Sequence, residues 1–382
     1  MRIIHVATLL TPTGAFGGPT NVALDTVSAL RERGHDSVLV AAALGFGDKL
    51  PEMAAGAPVR LFHARQLAPT RGFTGIGAPG MVRWLRRQDA DIFHFHLGRD
   101  LVTMRAARSL TRQGRPVVVQ THGMLQPSSH PLGPFVDRHW TRPVLAAARR
   151  VFYLSDLDRD GIRAVSNDKL ALSQLPNGIR PIPPTEVGTP ERQLLFLARL
   201  HPNKRVMQFA LACQQLASEF PDWKFCIVGP DDGDLRQLRE FLQRLDPITR
   251  AKIQYEGSLD PESSRLRMQR AAVYVAPAER EYSSLAVLEA LSAGIPVVVS
   301  NTGIALAIER AGAGIVTDGT IEGLTEALRF LMTDSKSRER MGRSAQRLVE
   351  SDYTLESVTT QLIREYTSIL SEANGAHEQP AR

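Results

Sequence analysis

The chain has 382 residues, 43% of them hydrophobic and 23% charged, which is enough for two domains, each with its own core. No apolar run reaches the roughly 18 residues that a membrane span requires, because charged residues or histidine interrupt every candidate, so the chain is not expected to cross a bilayer. The two cysteines, Cys213 in a helical pattern and Cys226 in a strand pattern, are too few for a disulfide framework or a zinc cluster and read as small buried hydrophobes. The net charge of +6 is unevenly spread: residues 1–192 carry 24 Lys+Arg against 15 Asp+Glu, residues 193–382 carry 22 against 25. A basic first half suits an anionic lipid surface or a polyanionic acceptor, or is an ordinary solvated face. No recognised nucleic-acid motif accompanies the charge, so nucleic acid is not an expected partner.

The N-terminus, MRIIHVATLL, lacks a long apolar core and a small-residue cleavage site, and reads as a first buried strand, which places the protein in the cytoplasm. The strand candidates IIHVAT, SVLVAA, DIFHFH, PVVVQTH and VFYLS follow, separated by helical patterns such as NVALDTVSALRERG, LVTMRAARSLTRQG and VLAAARR. Gly34 and Gly114 fall where helix C-caps belong. Arg180 to Arg192, with four prolines and no periodic pattern, reads as a linker. The alternation then repeats with LLFLAR, KFCIVG, KIQYEG, VYVAP, PVVVS and GIVTD. The pattern predicts an α/β protein of two Rossmann-like, doubly wound parallel-sheet domains. The expected boundaries are 1–180 for the N-terminal domain, 181–192 for the linker and 193–350 for the C-terminal domain. A surplus helix at 351–372 could cross back to the first domain, and 373–382 form a polar tail.

Ligands of such sheets bind beyond the C-terminal ends of the strands, so the loops there carry the chemistry. ARLHPNKRV puts Arg199 at a strand end and Lys204 near a helix start, two cations suited to a diphosphate; alone, such residues are ordinarily just exposed. In AEREYSSLAVLEALSAG a helix should begin near Ser283 or Ser284, directing its free N–H groups at an anion. Glu289 lies about 7–8 Å along that helix at ~1.5 Å per residue, within reach of ribose hydroxyls, and Glu281 precedes it, free to take sugar hydroxyls. His94 and His96 alternate along a strand, and with no third ligand at a suitable spacing no metal is assigned. The segment GIGAPGMVRWLRRQ mixes Met81, Val82, Trp84 and Leu85 with Arg83, Arg86 and Arg87, which fits a helix on a membrane surface or equally burial of Trp84 in the core.

Together, ARLHPNK, the glutamate pair ending in LEALSAGIPVV, LPNGI and GGPTNVALDTVSALRERGH resemble glycosyltransferase family 4, retaining enzymes of the GT-B fold, whose two domains face each other across a cleft. The resemblance runs over nearly the whole chain, the linker and tail apart. It implies that Arg199 and Lys204 bind the donor diphosphate, that Glu281 contacts the donor sugar, and that Glu289 binds the ribose. It further implies that the backbone amides of Ser284 and Leu285 hold the distal phosphate, although many relatives have glycine where Ser284 stands. Gly17 and Gly18 match the family's glycine loop, and His122 matches the histidine that contacts the transferred sugar. Gly229, and Glu256, Gly257 and Leu259, match loops near the nucleotide, the latter loop flanking the base. The implied donor is a UDP-, GDP- or ADP-sugar, with no further cofactor and no metal. TLLTPTGAFGGP and THGML also resemble transferases of bacterial cell-surface polysaccharide assembly. That implies a glycan or lipid-linked acceptor at the inner face of the plasma membrane. The rival readings are a nucleotide-sugar epimerase or hydrolase of the same fold and a non-catalytic sugar-nucleotide-binding subunit. A dinucleotide oxidoreductase is disfavoured because no compact GxGxxG turn follows the first strand.

Overall fold

The computed structural model describes residues 1–12, 18–68, 74–128, 130–166, 169–182, 191–300 and 303–377. The chain divides into two compact units, Met1–Gly178 with Leu355–Arg382, and Ile179–Thr354.

In the first unit, seven strands run parallel, the central ones built from near-continuous apolar runs, as burial on both faces of a sheet demands. They are β1 (Arg2–Leu10), β2 (Asp36–Ala43), β3 (Ala57–His63), β4 (Ile92–His96), β5 (Val117–Gln120), β6 (Arg150–Tyr153) and β7 (Leu172–Gln174). Their order is β7-β6-β5-β4-β1-β2-β3, with a short antiparallel strand, Met53–Ala54, at the β3 edge. Helix α1 (Gly18–Glu32) follows β1, α2 (Met81–Arg86) precedes β4, and α3 (Leu101–Thr111) follows it. Asp100 caps α3 by accepting from the Val102 and Thr103 N–H groups, both at 2.9 Å. Gly34 and Gly114 take the left-handed conformation after α1 and α3, at φ 80° and 68°.

The second unit holds β8 (Glu191–Leu197), β9 (Lys224–Val228), β10 (Ile253–Tyr255), β11 (Ala271–Ala276), β12 (Val297–Ser300) and β13 (Gly314–Thr317). All six are parallel, in the order β10-β9-β8-β11-β12-β13. By position in the unit this is 3-2-1-4-5-6, the Rossmann order, whose direction reverses between β8 and β11. Helix α4 (Val206–Leu216) follows β8 and α5 (Leu285–Ser292) follows β11. Cys213 and Cys226 are buried, each in its own side of this core.

Several details depart from the sequence reading. Strand β8 opens at Glu191, inside the segment read as linker, because Glu191 pairs with Ala271 of β11. Strand β3 has no counterpart among the sequence candidates. The last helix, α6 (Leu355–His377), extends into the stretch read as tail. It belongs to the first unit, where Val358, Leu362, Tyr366 and Ile369 pack on Ile3, Ile92, Val118 and Phe152. In α2, Met81 and Leu85 are 1% and 0% exposed, and Trp84 packs with Phe62, ring centroids 6.1 Å apart. The apolar side of α2 is therefore spent on the core, and Arg83, Arg86 and Arg87 face solvent. A helix laid apolar-side-down on a membrane is not what this segment forms.

Candidate active site

The reversal of strand order between β8 and β11 opens a crevice beyond their C-terminal ends, and the two loops there hold each other in place. After β8, Pro202–Lys204 form one 3-10 turn. Asn203 carries the join: its side-chain amide donates to the Arg280 carbonyl at 2.8 Å, its side-chain oxygen accepts from the Arg280 N–H at 3.0 Å, and its own carbonyl accepts from the Glu279 N–H at 2.9 Å. The clamp fixes Lys204 beside Glu281, and their side chains form an ion pair, 22% and 20% exposed. Lys204, Glu281 and Ser284 line one small pocket whose floor includes Tyr274. Arg199, two residues beyond β8, does not line that pocket; it is 65% exposed and paired with Asp232. Both cations thus carry a carboxylate partner. The exposed Arg199 pair is a weak one, since such pairs contribute about 0–1 kcal/mol.

Helix α5 begins at the same edge. The Ser284 hydroxyl accepts from the Val287 N–H at 3.5 Å, and the Ser284 carbonyl accepts the first helical bond, from Leu288. The N–H groups of Leu285 and Ala286 are left without intrahelical partners, pointing with the helix dipole out of its N-terminus. Glu289 lies half-buried one and a half turns further on. Tyr274, on β11, donates to the Leu197 carbonyl at 2.9 Å. Its burial, and then the Glu281 and Glu289 carboxylates beside it, raise the phenol above its ordinary range. Neither Asn203 nor Tyr274 announces itself in sequence: one is a turn residue, the other an aromatic in an apolar strand.

The loops after β9 and β10 lie at the same edge of the sheet. Gly229, at the end of β9, has φ 146°, and a Cβ there would lie 1.8 Å from the Ala198 carbonyl oxygen. The turn after β8 is therefore built against bare backbone. The Gly229 N–H donates to the Gly257 carbonyl at 2.8 Å, joining the loops after β9 and β10. Gly257 is left-handed, at φ 84° and open on its Cβ side. Leu259 is half-buried against the α5 core. Both oxygens of Glu256 accept from Arg267, each at 2.8 Å, and this guanidinium holds the carboxyl below its usual range.

The first unit carries the rest. Gly17 lies outside the described residues; Gly18 is the first residue of α1, exposed and with open space around it. His122 lies two residues beyond β5 in a left-handed conformation at φ 51°. Its Nε2 is 2.7 Å from His96 Nδ1, so the ring is held inward. The third histidine that sequence spacing could not supply is His5 on β1: nitrogens of His5, His94 and His96 all lie within 4.8 Å of one another, buried. These rings are nearly parallel, 16° between His5 and His94 and 21° between His94 and His96. Ring lone pairs lie in the ring plane, so stacked imidazoles do not aim them at a common centre as a metal site demands.

A parallel sheet in Rossmann order, with cations and a helix N-terminus where its strand order reverses, is a doubly wound α/β unit of the kind that binds ligands at that edge. Residues 182–348 match the family model described as glycosyl transferases group 1, and residues 17–178 match the glycosyl transferase 4-like domain. The chain belongs to these group-4 glycosyltransferases of the GT-B fold and is a glycosyltransferase. It is 25% identical, over 97% of each chain, to a GDP-mannose:cellobiosyl-diphosphopolyprenol alpha-mannosyltransferase of Xanthomonas oryzae pv. oryzae. It is 27% identical, over 58% of this chain and 60% of the other, to a UDP-Gal:alpha-D-GlcNAc-diphosphoundecaprenol alpha-1,3-galactosyltransferase of Escherichia coli. Among solved structures, Anabaena Alr3699/HepE in complex with UDP superposes with a TM-score of 0.73 at 17% identity, over 96% of this chain and 100% of that one.

Proposed function

We propose that the protein transfers a sugar, with retention of anomeric configuration, from a nucleotide-diphosphate-sugar to a hydroxyl of a lipid-linked or glycan acceptor in cell-surface polysaccharide or glycolipid synthesis. The observation that carries this reading is the gathering of Lys204, Glu281 and Ser284 around one pocket where the strand order reverses. Arg199 and Lys204 take the diphosphate, and the Ser284 and Leu285 amides take its distal phosphate. Glu281, released from Lys204, accepts from the sugar hydroxyls, and Glu289 accepts from the ribose. Gly229, Gly257, Leu259 and the backbone of Glu256 border the base. His122 meets the transferred sugar; Gly18, lacking a Cβ, leaves room for the sugar or phosphate beside it. The acceptor oxygen forms its bond to the anomeric carbon on the face from which the diphosphate departs. The electron pair of the breaking bond goes to the diphosphate oxygen, which takes the acceptor's proton. The protein positions the reactants and stabilises the charge that grows on the leaving group. No metal step is required.

Relatives named for GDP-mannose and for UDP-galactose support testing both nucleotides, and their diphosphopolyprenol acceptors support a lipid-linked one. With each donor and a polyprenyl-diphosphate glycan acceptor, NMR of the product is expected to show the donor's own anomeric configuration. An inverted linkage, or sugar release that ignores the acceptor, would remove the reading in favour of a different mechanism or a hydrolase.

Membrane contact through the first unit is favoured by a separate feature. Arg86 of α2, Arg105 and Arg108 of α3 and Arg112 just after it line a cavity of about 600 Å³ with Trp140. Arg108 is fixed there, its guanidinium 4.9 Å from the Trp140 ring centre. Among the described residues no carboxylate lines the cavity, and Arg86, Arg105 and Arg112 have no ion-pair partner. Such uncompensated charge suits phosphate headgroups at the cytoplasmic face of the membrane. The double variant R105E/R112E is expected to lose flotation with phosphatidylglycerol vesicles while keeping its thermal midpoint; flotation equal to the parent's would discard the membrane reading. No helix among the described residues is long and apolar enough to cross a membrane.

A further inference from the structure

Four histidines of the first unit form a ladder. Strand pairing sets His5 of β1 level with His94 of β4, and His96 two residues on shares their face. His96 is level with Gln120 of β5, two residues before His122. Ring centres are 4.7 Å apart for His5 and His94, 4.8 Å for His94 and His96, and 5.0 Å for His96 and His122. Two nitrogen contacts link three of the rings in line: His5 Nδ1 to His96 Nε2 at 3.1 Å, and His96 Nδ1 to His122 Nε2 at 2.7 Å. His94 stands aside, its Nδ1 2.6 Å from the Tyr366 hydroxyl of α6.

Each neutral imidazole has one N–H and one lone pair, so each nitrogen contact holds a single proton and the chain can run in only two directions. His5 Nε2, at the inner end, is buried with no partner. If His122 donated inward, each ring would pass its N–H along and His5 Nε2 would be left as a buried N–H with nothing to bond. If His5 donates outward from Nδ1, the orphan is only a bare lone pair, the milder defect, since unpaired buried N–H groups are the rarer kind. His5 then donates to His96, His96 donates from Nδ1 to His122 Nε2, and His122 carries its proton on Nδ1. That nitrogen makes no hydrogen bond among the described residues. Burial keeps the rings neutral, lowering His5 and His122 to about 3 and holding His94 and His96 well below the ordinary value.

We propose that His96 is a positioning residue that, donating from Nδ1, holds His122 as its Nδ1–H tautomer, presenting a fixed N–H donor to an oxygen of the transferred sugar. The inference rests on the contact between His122 and that sugar under the proposed function. It also gives the left-handed backbone of His122 a reason, since a conformation costing roughly 1–3 kcal/mol persists only where surrounding bonds impose it.

Two amide variants of His96 separate the tautomer from packing. In H96N the amide sits where Nδ1 was and keeps the bond to His122; in H96Q it sits where Nε2 was and keeps only the bond to His5. Both lose the stacked ring equally. H96N is expected to retain kcat within about threefold and H96Q to lose about tenfold in kcat at unchanged donor KM, as for one positioning hydrogen bond. NMR of the ¹⁵N-histidine-labelled parent, with His122 assigned by its loss in H122A, should show His122 protonated at Nδ1. H96N should keep that state and H96Q should turn it into a mixture. Equal activity of H96N and H96Q, or a proton on Nε2 of His122 in the parent, would overturn the proposal. The parent spectrum decides the tautomer even should a variant fail to fold. Undiminished kcat in H122A would refute the sugar contact of His122, and the positioning role with it, while the tautomer stands or falls by NMR.

Discussion

Replacing Lys204 by alanine is expected to lower kcat by about 10²- to 10³-fold at saturating donor, the loss typical of removing one preorganised donor from developing charge. The ammonium is held in a rigid 3-10 turn that Asn203 ties to the loop carrying Glu281, so it does not need to be reorganised as the diphosphate departs. Alanine does more than delete a charge. It leaves the Glu281 carboxylate, 20% exposed, without its cation and beside the position of two phosphates, so donor affinity should fall as well. E281Q removes the repulsion and keeps a hydrogen-bonding group, and should impair turnover less than K204A does. Initial rates across donor concentration, read beside thermal midpoints, separate these effects from misfolding. A K204A enzyme with parental kcat would take Lys204 out of the mechanism.

The second large effect is expected from Gly229→Ala, at a site that touches no charged group. A methyl at φ 146° would meet the Ala198 carbonyl oxygen at 1.8 Å, and a backbone carbonyl at a strand end cannot step aside as a flexible side chain could. Either the end of β9 or the turn carrying Arg199 must move. The combined strain and displacement should cost about 2–4 kcal/mol, in the range of backbone-specific defects, and lower the midpoint by roughly 5 °C or more. Because the Gly229 N–H also holds the Gly257 carbonyl, donor affinity should drop beyond what the stability loss explains. The comparison is Gly257→Ala: its φ of 84° is also strained, but the space beside it is open, so the penalty should be smaller. Equal midpoints for the parent and Gly229→Ala would show that the two strand ends are not as tightly joined as this geometry has them.

How much of this was legible in sequence follows from local physics. The six strands of the second unit are short runs of buried Val, Ile, Leu and Phe between helical patterns, and such runs declare themselves. Strand β3 did not, because its burial alternates and Arg60 faces solvent at its centre, so APVRLFH does not read as a buried run. The start of α5 at Ser284 was visible from its capping residue. What could not be seen was which side chains are already engaged. Arg267, eleven residues beyond Glu256, absorbs that carboxylate, and no spacing rule distinguishes this from a free ligand. The apolar members of α2 looked equally suited to lipid and to core, since composition does not say which way a helix faces. His5 lies 91 residues before His96, and only the pairing of β1 with β4 brings them together.

The proposed chemistry rests on the cations after β8 and the N-terminus of α5 gripping a diphosphate. Calorimetric titration of the parent and of R199A/K204A with a nucleoside diphosphate, and with the same nucleoside lacking phosphates, tests it most directly. The double variant is expected to lose most of its affinity for the diphosphate, while the two proteins bind the nucleoside alike. Equal affinity of parent and variant for the diphosphate would contradict it.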